Sequence, residues 1–480
     1  MPMLTPRTRL LYGVGGGIYA VKEAAYGIFI LLFYTQVLGL SGFVTGFIIA
    51  LSLVWDGISD PLIGGWSDRL RSRYGRRHPF MVYSTVPIAI GFIGLFSPPA
   101  TVVASSSLLA CWLLFWSLWV RTFITAFSIP HLALSAELTH DYHERSQLMS
   151  MRLGFMFLVT LFLPAAGFVF IFGAEPEVDG RFIAQSYPWY GLMSAAVAVM
   201  LAAVTIMGTR EHMSQPNTEG EDYGLPRLQD YLTDVLQTLR NKTFRTLIAY
   251  DVAASIGWGC AATLNILVGT YVFEFSSDDM AIILAVPSLI AVLLVWLSIK
   301  PISARWQKPE IMRYALWALL FNSLWLLPLK LAGALPENDS PVILALNIIN
   351  LTVLMFFFLL RITSAMSIVA DISDQHELEQ GGRREGGFFS VITFTNKVSS
   401  LVGPLYGGIV LDVIGLNQQD LPGNVAEPVL AGLMISVLLV VIPTLLIALF
   451  YAYKISFSRE QVDAIQADLQ YSKSGSIARH

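Results

Sequence analysis

The chain has 480 residues, of which 55% are hydrophobic and only 13% charged, with a mean hydropathy of +0.62. Soluble domains carry about 25% charged residues, so this composition excludes an ordinary soluble protein and indicates an integral membrane protein. The net charge of -4 gives no electrostatic footprint for nucleic acid. Cys111 and Cys260 both fall in apolar runs, which argues for packing rather than a disulfide.

A membrane-crossing helix needs about 20 mostly apolar residues. Twelve such runs follow one another, near 10–38, 42–67, 80–98, 103–136, 147–173, 188–208, 244–274, 280–300, 311–333, 341–370, 386–414 and 428–454. They are far longer than barrel strands and do not alternate, which argues against a β-barrel. The first run is too long for a signal-peptide core and reads as a retained span. Its glycines 13, 15, 16 and 17 follow no strand, so they predict close helix packing rather than a phosphate loop. It also holds Lys22 and Glu23.

Span two, in VWDGISDPLIGGWSD, carries Asp56 and Asp60 four positions apart, on one helix face, with Ser59 beside them. A charge in mid-membrane costs a few kcal/mol and needs a partner, a cavity or a function. Two carboxylates this close repel, and a cation between them removes the conflict. Asp56, Ser59 and Asp60 therefore form a candidate Na+ or H+ site; the competing explanation is an ion pair with Lys397 or an arginine that holds spans together. The following loop, SDRLRSRYGRRHP, holds Asp68, Arg69, Arg71, Arg73, Arg76 and Arg77. Asp68, Arg69, Arg73, Arg76 and Arg77 are expected to form a gate of ion pairs to the other half that breaks on switching, besides marking topology.

Span four places Arg121, Thr125 and Ser128 on one face. Thr125 is a further oxygen for the cation, and Arg121 either pairs with Glu23 or an aspartate or grips an anionic group of a substrate. Arg152 lies near the start of span five. The stretch GTREHMSQPNTEGEDYGLPRLQ separates spans six and seven, dividing the chain into 1–208, a cytoplasmic linker 209–243, and 244–455. A weak repeat, SRYGRRHPF against ARWQKPEIM, supports two six-helix halves. In the second half, Asp251, Arg361 and Lys397 are the in-span charges. Arg361 is either a second cation for an anionic solute or a partner of Asp371 or a helix end, and Tyr26, Trp55 and Trp258 are candidate rings for stacking on a sugar. The GGRREGGFFS loop repeats the gate motif, with Arg383 and Arg384. The tail 456–480 is expected to begin as a short surface helix with Val462, Ile465 and Leu469 on one face.

Lysine and arginine gather in the even-to-odd loops and acids in the opposite ones, so both termini are expected in the cytoplasm of a plasma membrane, the inner membrane in a Gram-negative cell. The expected partners are a small-molecule substrate and membrane lipid, with a monomeric working unit. No metal-ligand histidine pair, nucleophile elbow or cofactor motif appears, and neither an enzyme nor a resident cofactor is expected.

Three stretches carry a resemblance: YGVGGGIYAVKEAAYGIFILLFYTQVLGLS, WDGISDPLIGGWSDRLRSRYGRRHPF, and ADISDQHELEQGGRREGGFFSVITFTNKVSSLVGPLYGGIVLDVIG. Together they are similar to the glycoside–pentoside–hexuronide:cation symporter family of the major facilitator superfamily. The resemblance implies an all-α fold of twelve transmembrane helices in two six-helix halves, and cation-coupled symport of a sugar-like solute by alternating access. It implies a coupling ion, Na+ or H+, on Asp56, Ser59, Asp60 and Thr125, with Lys397 linking cation to solute. The acids with which galactoside carriers of the family hold sugar hydroxyls correspond here to Tyr19 or Ala20 and to Ser128, none of them acidic. That loss, together with Arg121 and Arg361, favours an anionic solute; related lysolipid carriers make an amphiphile the alternative cargo, and a non-transporting sensor or scaffold is the alternative of another class.

Overall fold

The computed structural model describes residues 4–70, 72, 74–139, 141–173, 179–212, 241–380, 385–418, 420–456, 459–462 and 464–468. Among these, twelve helices are long and apolar enough to cross a membrane. They are α1 (Pro6–Val37), α2 (Gly42–Arg69), α3 (His78–Phe96), α4 (Ser106–Leu138), α5 (Glu144–Phe170), α6 (Ala184–Thr209), α7 (Lys242–Val272), α8 (Ser277–Arg305), α9 (Lys308–Leu331), α10 (Pro341–Leu378), α11 (Val391–Ile414) and α12 (Glu427–Lys454). The expected spans recur within a few residues, apart from α10, which runs eight residues further because charge only ends an apolar run, not a helix.

Polar residues mark the helix ends. Thr5 caps α1 by accepting from the Thr8 amide at 3.2 Å, Asp141 caps α5 by accepting from the Glu144 amide at 2.8 Å, and Glu310 reaches back to the Gln307 amide at 2.7 Å at the start of α9. Gly39 and Gly415 take positive φ (74° and 76°) just beyond α1 and α11, a conformation that costs glycine nothing. Prolines at 61, 87, 130, 164, 287, 301 and 443 sit inside spans, where neighbouring helices compensate the lost hydrogen bonds.

The chain folds into two compact units, and they are not the two sequence halves. The first comprises Met1–Leu225 with Ala262–Ala285 and Pro404–Leu433; the second comprises Pro226–Ala261, Val286–Gly403 and Met434–His480. The first thus gathers α1–α6 with the ends of α7, α8, α11 and α12 on the side of the acidic loops.

In the first unit α1 packs against α5 and α6, α2 against α4, and α3 against α4 and α6. The glycine run of α1 makes this possible: a Cβ at Gly16 would stand 2.3 Å from the Arg152 carbonyl oxygen, and one at Gly13 2.8 Å from the Met151 Cβ. Phe29, Phe33, Phe96, Phe172, Tyr187 and Tyr190 stack into a buried aromatic core. On the acidic-loop side, Gly42 and Gly46 of α2 meet Gly408 and Pro404 of α11 so closely that a Cβ at Gly46 would lie 2.3 Å from the Pro404 carbonyl oxygen. The second unit is centred on Phe244, Tyr250, Met312, Ile368, Phe388 and Ala452, and Val462 and Ile465 of the tail helix pack against it. Leu469 lies outside the described residues. Cys111 and Cys260 are both free thiols.

Candidate functional site

On α2, Ser52, Asp56, Ser59 and Ile63 form the buried stripe expected of helical spacing. Asp56 is 4% exposed, and two buried cations converge on one of its oxygens. Lys22 Nζ of α1 donates to Asp56 Oδ2 at 3.0 Å, and Arg121 Nη1 of α4 donates to the same atom. Arg121 Nε donates to Ser52 Oγ at 2.7 Å, and its guanidinium lies 4.6 Å over the Tyr26 ring. Lys22 Nζ stands 4.1 Å over the Tyr19 ring and 3.4 Å from Glu23 Oε1. The second oxygen, Asp56 Oδ1, is buried and accepts no hydrogen bond among the described residues.

One turn further along α2, Asp60 is half-buried and accepts from Thr125 Oγ1 at 3.0 Å. Ser59 Oγ is buried and, among the described residues, donates to the Asp56 carbonyl at 3.4 Å. Around Asp56 stand the cations Lys22 and Arg121 and the carboxylates of Glu23 and Asp60. The bare Oδ1 and the hydroxyls of Ser59 and Thr125 are hard oxygen chemistry that suits a monovalent cation or a proton. Arg121 therefore does pair with an aspartate.

The remaining expected residues fall in several places. Ser128 is buried with a hydroxyl that has no partner among the described residues, and Arg152 is half-buried with an unpartnered Nε. Trp258, Arg361 and Lys397 belong to the second unit. There Arg361 faces Asp251 at 3.8 Å rather than Asp371, which Lys308 holds at 2.6 Å. Trp258 stacks on Phe358, ring centroids 3.8 Å apart, and Lys397 is half-buried.

At the arginine-rich end of α2, Arg77 binds Asp68 at 2.5 Å, Ser67 Oγ at 2.7 Å and Glu137 of α4 at 3.1 Å, and Arg76 joins Glu137 at 2.9 Å. Among the described residues, Arg76 and Arg77 share Glu137 of the same half, a residue the loop sequence does not point to. Arg69 is exposed at the end of α2, while Arg73, Arg383 and Arg384 lie outside the described residues. Sequence reasoning also missed the roles of Lys22 and Ser52; the only signal was a lysine in the middle of an apolar run.

A family model described as "MFS/sugar transport protein" matches residues 11–458. The chain belongs to the MFS/sugar transport protein family. Within it, the putative glycoside/cation symporter YagG of Escherichia coli is 25% identical over 98% of this chain and 96% of its own length. The symporter YnaJ of Bacillus subtilis is 24% identical over 90% and 89%. A chicken sodium-dependent lysophosphatidylcholine symporter is similar over a shorter stretch, 26% identical over 30% of this chain and 27% of its own. The fold of this family member matches the crystal structure of the nucleoside transporter NupG with a TM-score of 0.60, at 12% identity, over 94% of this chain and 99% of that one. It also matches the inward-open xylose transporter XylE of E. coli with a TM-score of 0.57, at 14% identity, over 96% and 98%. The protein is a multi-pass membrane protein of the major facilitator fold.

Proposed function

We propose that this protein is a cation-coupled symporter of a glycoside or related sugar-like solute, working by alternating access, with both termini in the cytoplasm. The observation that carries the reading is the bare, buried Asp56 Oδ1 one turn from the Asp60 carboxylate. An ion there is bound by Asp56, Ser59, Asp60 and Thr125. Its positive charge weakens the grip of Lys22 and Arg121 on Asp56, because all three compete for one carboxylate. Arg121, Tyr19 and Tyr26 then turn to the solute together with Arg152 and Ser128, so cation and solute favour each other's binding. Lys397 of α11 serves as the link from the second half. Both relatives that match nearly end to end are named symporters, and one is named for glycosides and cations, which supports this class of cargo. The amphiphile alternative rests on a relative that matches less than a third of the chain.

The test is equilibrium binding of p-nitrophenyl glycosides to the purified protein with and without Na+, at two pH values. Tighter binding with Na+, or a pH dependence in its place, is the expected result. Binding indifferent to both ions contradicts the reading.

A further inference from the structure

The second unit holds a polar centre that the carboxylate pair of α2 does not explain. On α7, Asp251, Ser255 and Trp258 share one face at spacings of four and three. Asp251 is 3% exposed, and facing it from α10 is Arg361, 2% exposed. The two are not a closed ion pair. Arg361 Nη1 is 3.8 Å from Asp251 Oδ1, beyond hydrogen-bond reach, whereas the other arginine–carboxylate pairs among the described residues close to 3.1 Å or less.

Each partner is left under-used. Among the described residues Arg361 makes one hydrogen bond, to the Tyr250 hydroxyl at 3.2 Å, out of a fork of five N–H donors. Its flat faces are packed: Phe358 lies 5.3 Å and Tyr250 5.6 Å from the guanidinium carbon. Beside Asp251 on the same face, Ser255 Oγ donates to Asn396 Oδ1 at 3.1 Å. Asp251 Oδ2 is buried with no partner among the described residues. A buried carboxylate oxygen without a donor is costly, and a group that fills the gap removes that cost.

The geometry points to a hydroxyl-binding subsite for the solute between Asp251 and Arg361. It rests on the symport reading above and narrows it. An anion at Arg361 meets the Asp251 carboxylate, and a cation at Asp251 meets the guanidinium, so neither fits. A neutral pair of adjacent hydroxyls fits both: one donates to Asp251 Oδ2 and its neighbour accepts from an Arg361 N–H. Trp258, stacked on Phe358 two turns along the same face of α7, supplies an apolar ring surface for the rest of the glycoside. The site thus provides the carboxylate missing at Ala20 and Ser128, and Arg361, with its neighbouring carboxylate, gives no preference for a charged solute.

The experiment uses the full-length protein in detergent and calorimetric binding of p-nitrophenyl β-D-glucoside, β-D-galactoside and β-D-xyloside, each with its monodeoxy analogues. Asp251→Asn and Arg361→Lys are expected to weaken the best-binding glycoside by about tenfold to a hundredfold, the range of a charged hydrogen bond, with sugar-free Na+ binding unchanged. One deoxy analogue is expected to lose that factor in the wild type and nothing more in Asp251→Asn. If Asp251→Asn does not fold, Arg361→Lys carries the same comparison. Equal penalties for every deoxy analogue in wild type and variant overturn the subsite while leaving Na+-stimulated glycoside binding, and so the symport reading, intact. Joint loss of Na+ and glycoside binding in both variants also overturns it, because the pair is then a structural strut. Failure of all three glycosides to bind wild type, with or without Na+, overturns the symport reading itself and the subsite with it.

Discussion

Arg121 and Asp56 are joined through a single carboxylate oxygen, which also receives Lys22, and the other oxygen of Asp56 is left bare in a buried setting. Asp56 therefore has two duties. It neutralises two buried cations and, in the proposed symport, offers its other oxygen to the coupling ion. Asp60, half-buried, accepts from Thr125 Oγ1 one turn further along.

The two aspartates should separate in a stability measurement. Asp56→Asn takes from buried Arg121 its carboxylate and leaves Lys22 only the half-exposed Glu23, and it is expected to cost about 3–5 kcal/mol as well as transport. Asp60→Asn, at a half-buried carboxylate bonded to Thr125, is expected to cost less than Asp56→Asn while abolishing cation-stimulated uptake. Thermal unfolding in detergent beside uptake in vesicles reads both. Equal destabilisation by the two variants contradicts the division.

The glycine run of α1 is a packing device, and a single methyl tests it. Gly16→Ala pushes a Cβ to 2.3 Å from backbone of α5 and is expected to destabilise by about 1–3 kcal/mol. Gly154→Ala, with nothing within 4 Å, serves as the control and is expected to be neutral or to stabilise by up to about 1 kcal/mol. Melting temperatures of the two variants check this.

At the acidic-loop side, Asp412 of α11 caps the first turn of α2. It accepts from Ser41 Oγ and from the amides of Gly42 and Phe43, each at 2.8 Å. This contact is expected to hold one of the transport cycle's states. Asp412→Ala should cost about 1 kcal/mol of that state, roughly a fivefold shift in its population. Faster labelling by a hydrophilic maleimide at Thr45→Cys, a fully buried position of α2, in a Cys111→Ser background measures it. Unchanged labelling means the cap does not bias the cycle.

Lys397→Ala is expected to uncouple or abolish transport. Normal cation-dependent uptake by that variant removes Lys397 from the coupling role.

Much of the fold is legible because a bilayer demands long apolar helices and little else: twelve hydropathy maxima give twelve spans. The carboxylate pair and Thr125 are legible for the same reason, since a charge in an apolar run stands out and helical spacing says which charges share a face. Partnership across helices is not. Lys22 and Arg121 are visible as anomalies, yet nothing local tells that both choose Asp56, or that Arg361 faces Asp251 and leaves Asp371 to Lys308. The Glu137 anchor of Arg76 and Arg77 is hidden likewise, because it sits at the end of α4, about 60 positions away, in an otherwise unremarkable helix terminus.

The most direct test of cation coupling at Asp56 and Asp60 is accumulation against a gradient in proteoliposomes. With equal p-nitrophenyl glycoside inside and out, an imposed Na+ or proton gradient should drive net uptake by the wild type and none by Asp60→Asn, which should still equilibrate solute. Accumulation by Asp60→Asn matching the wild type, or wild-type uptake indifferent to both gradients, would contradict the account.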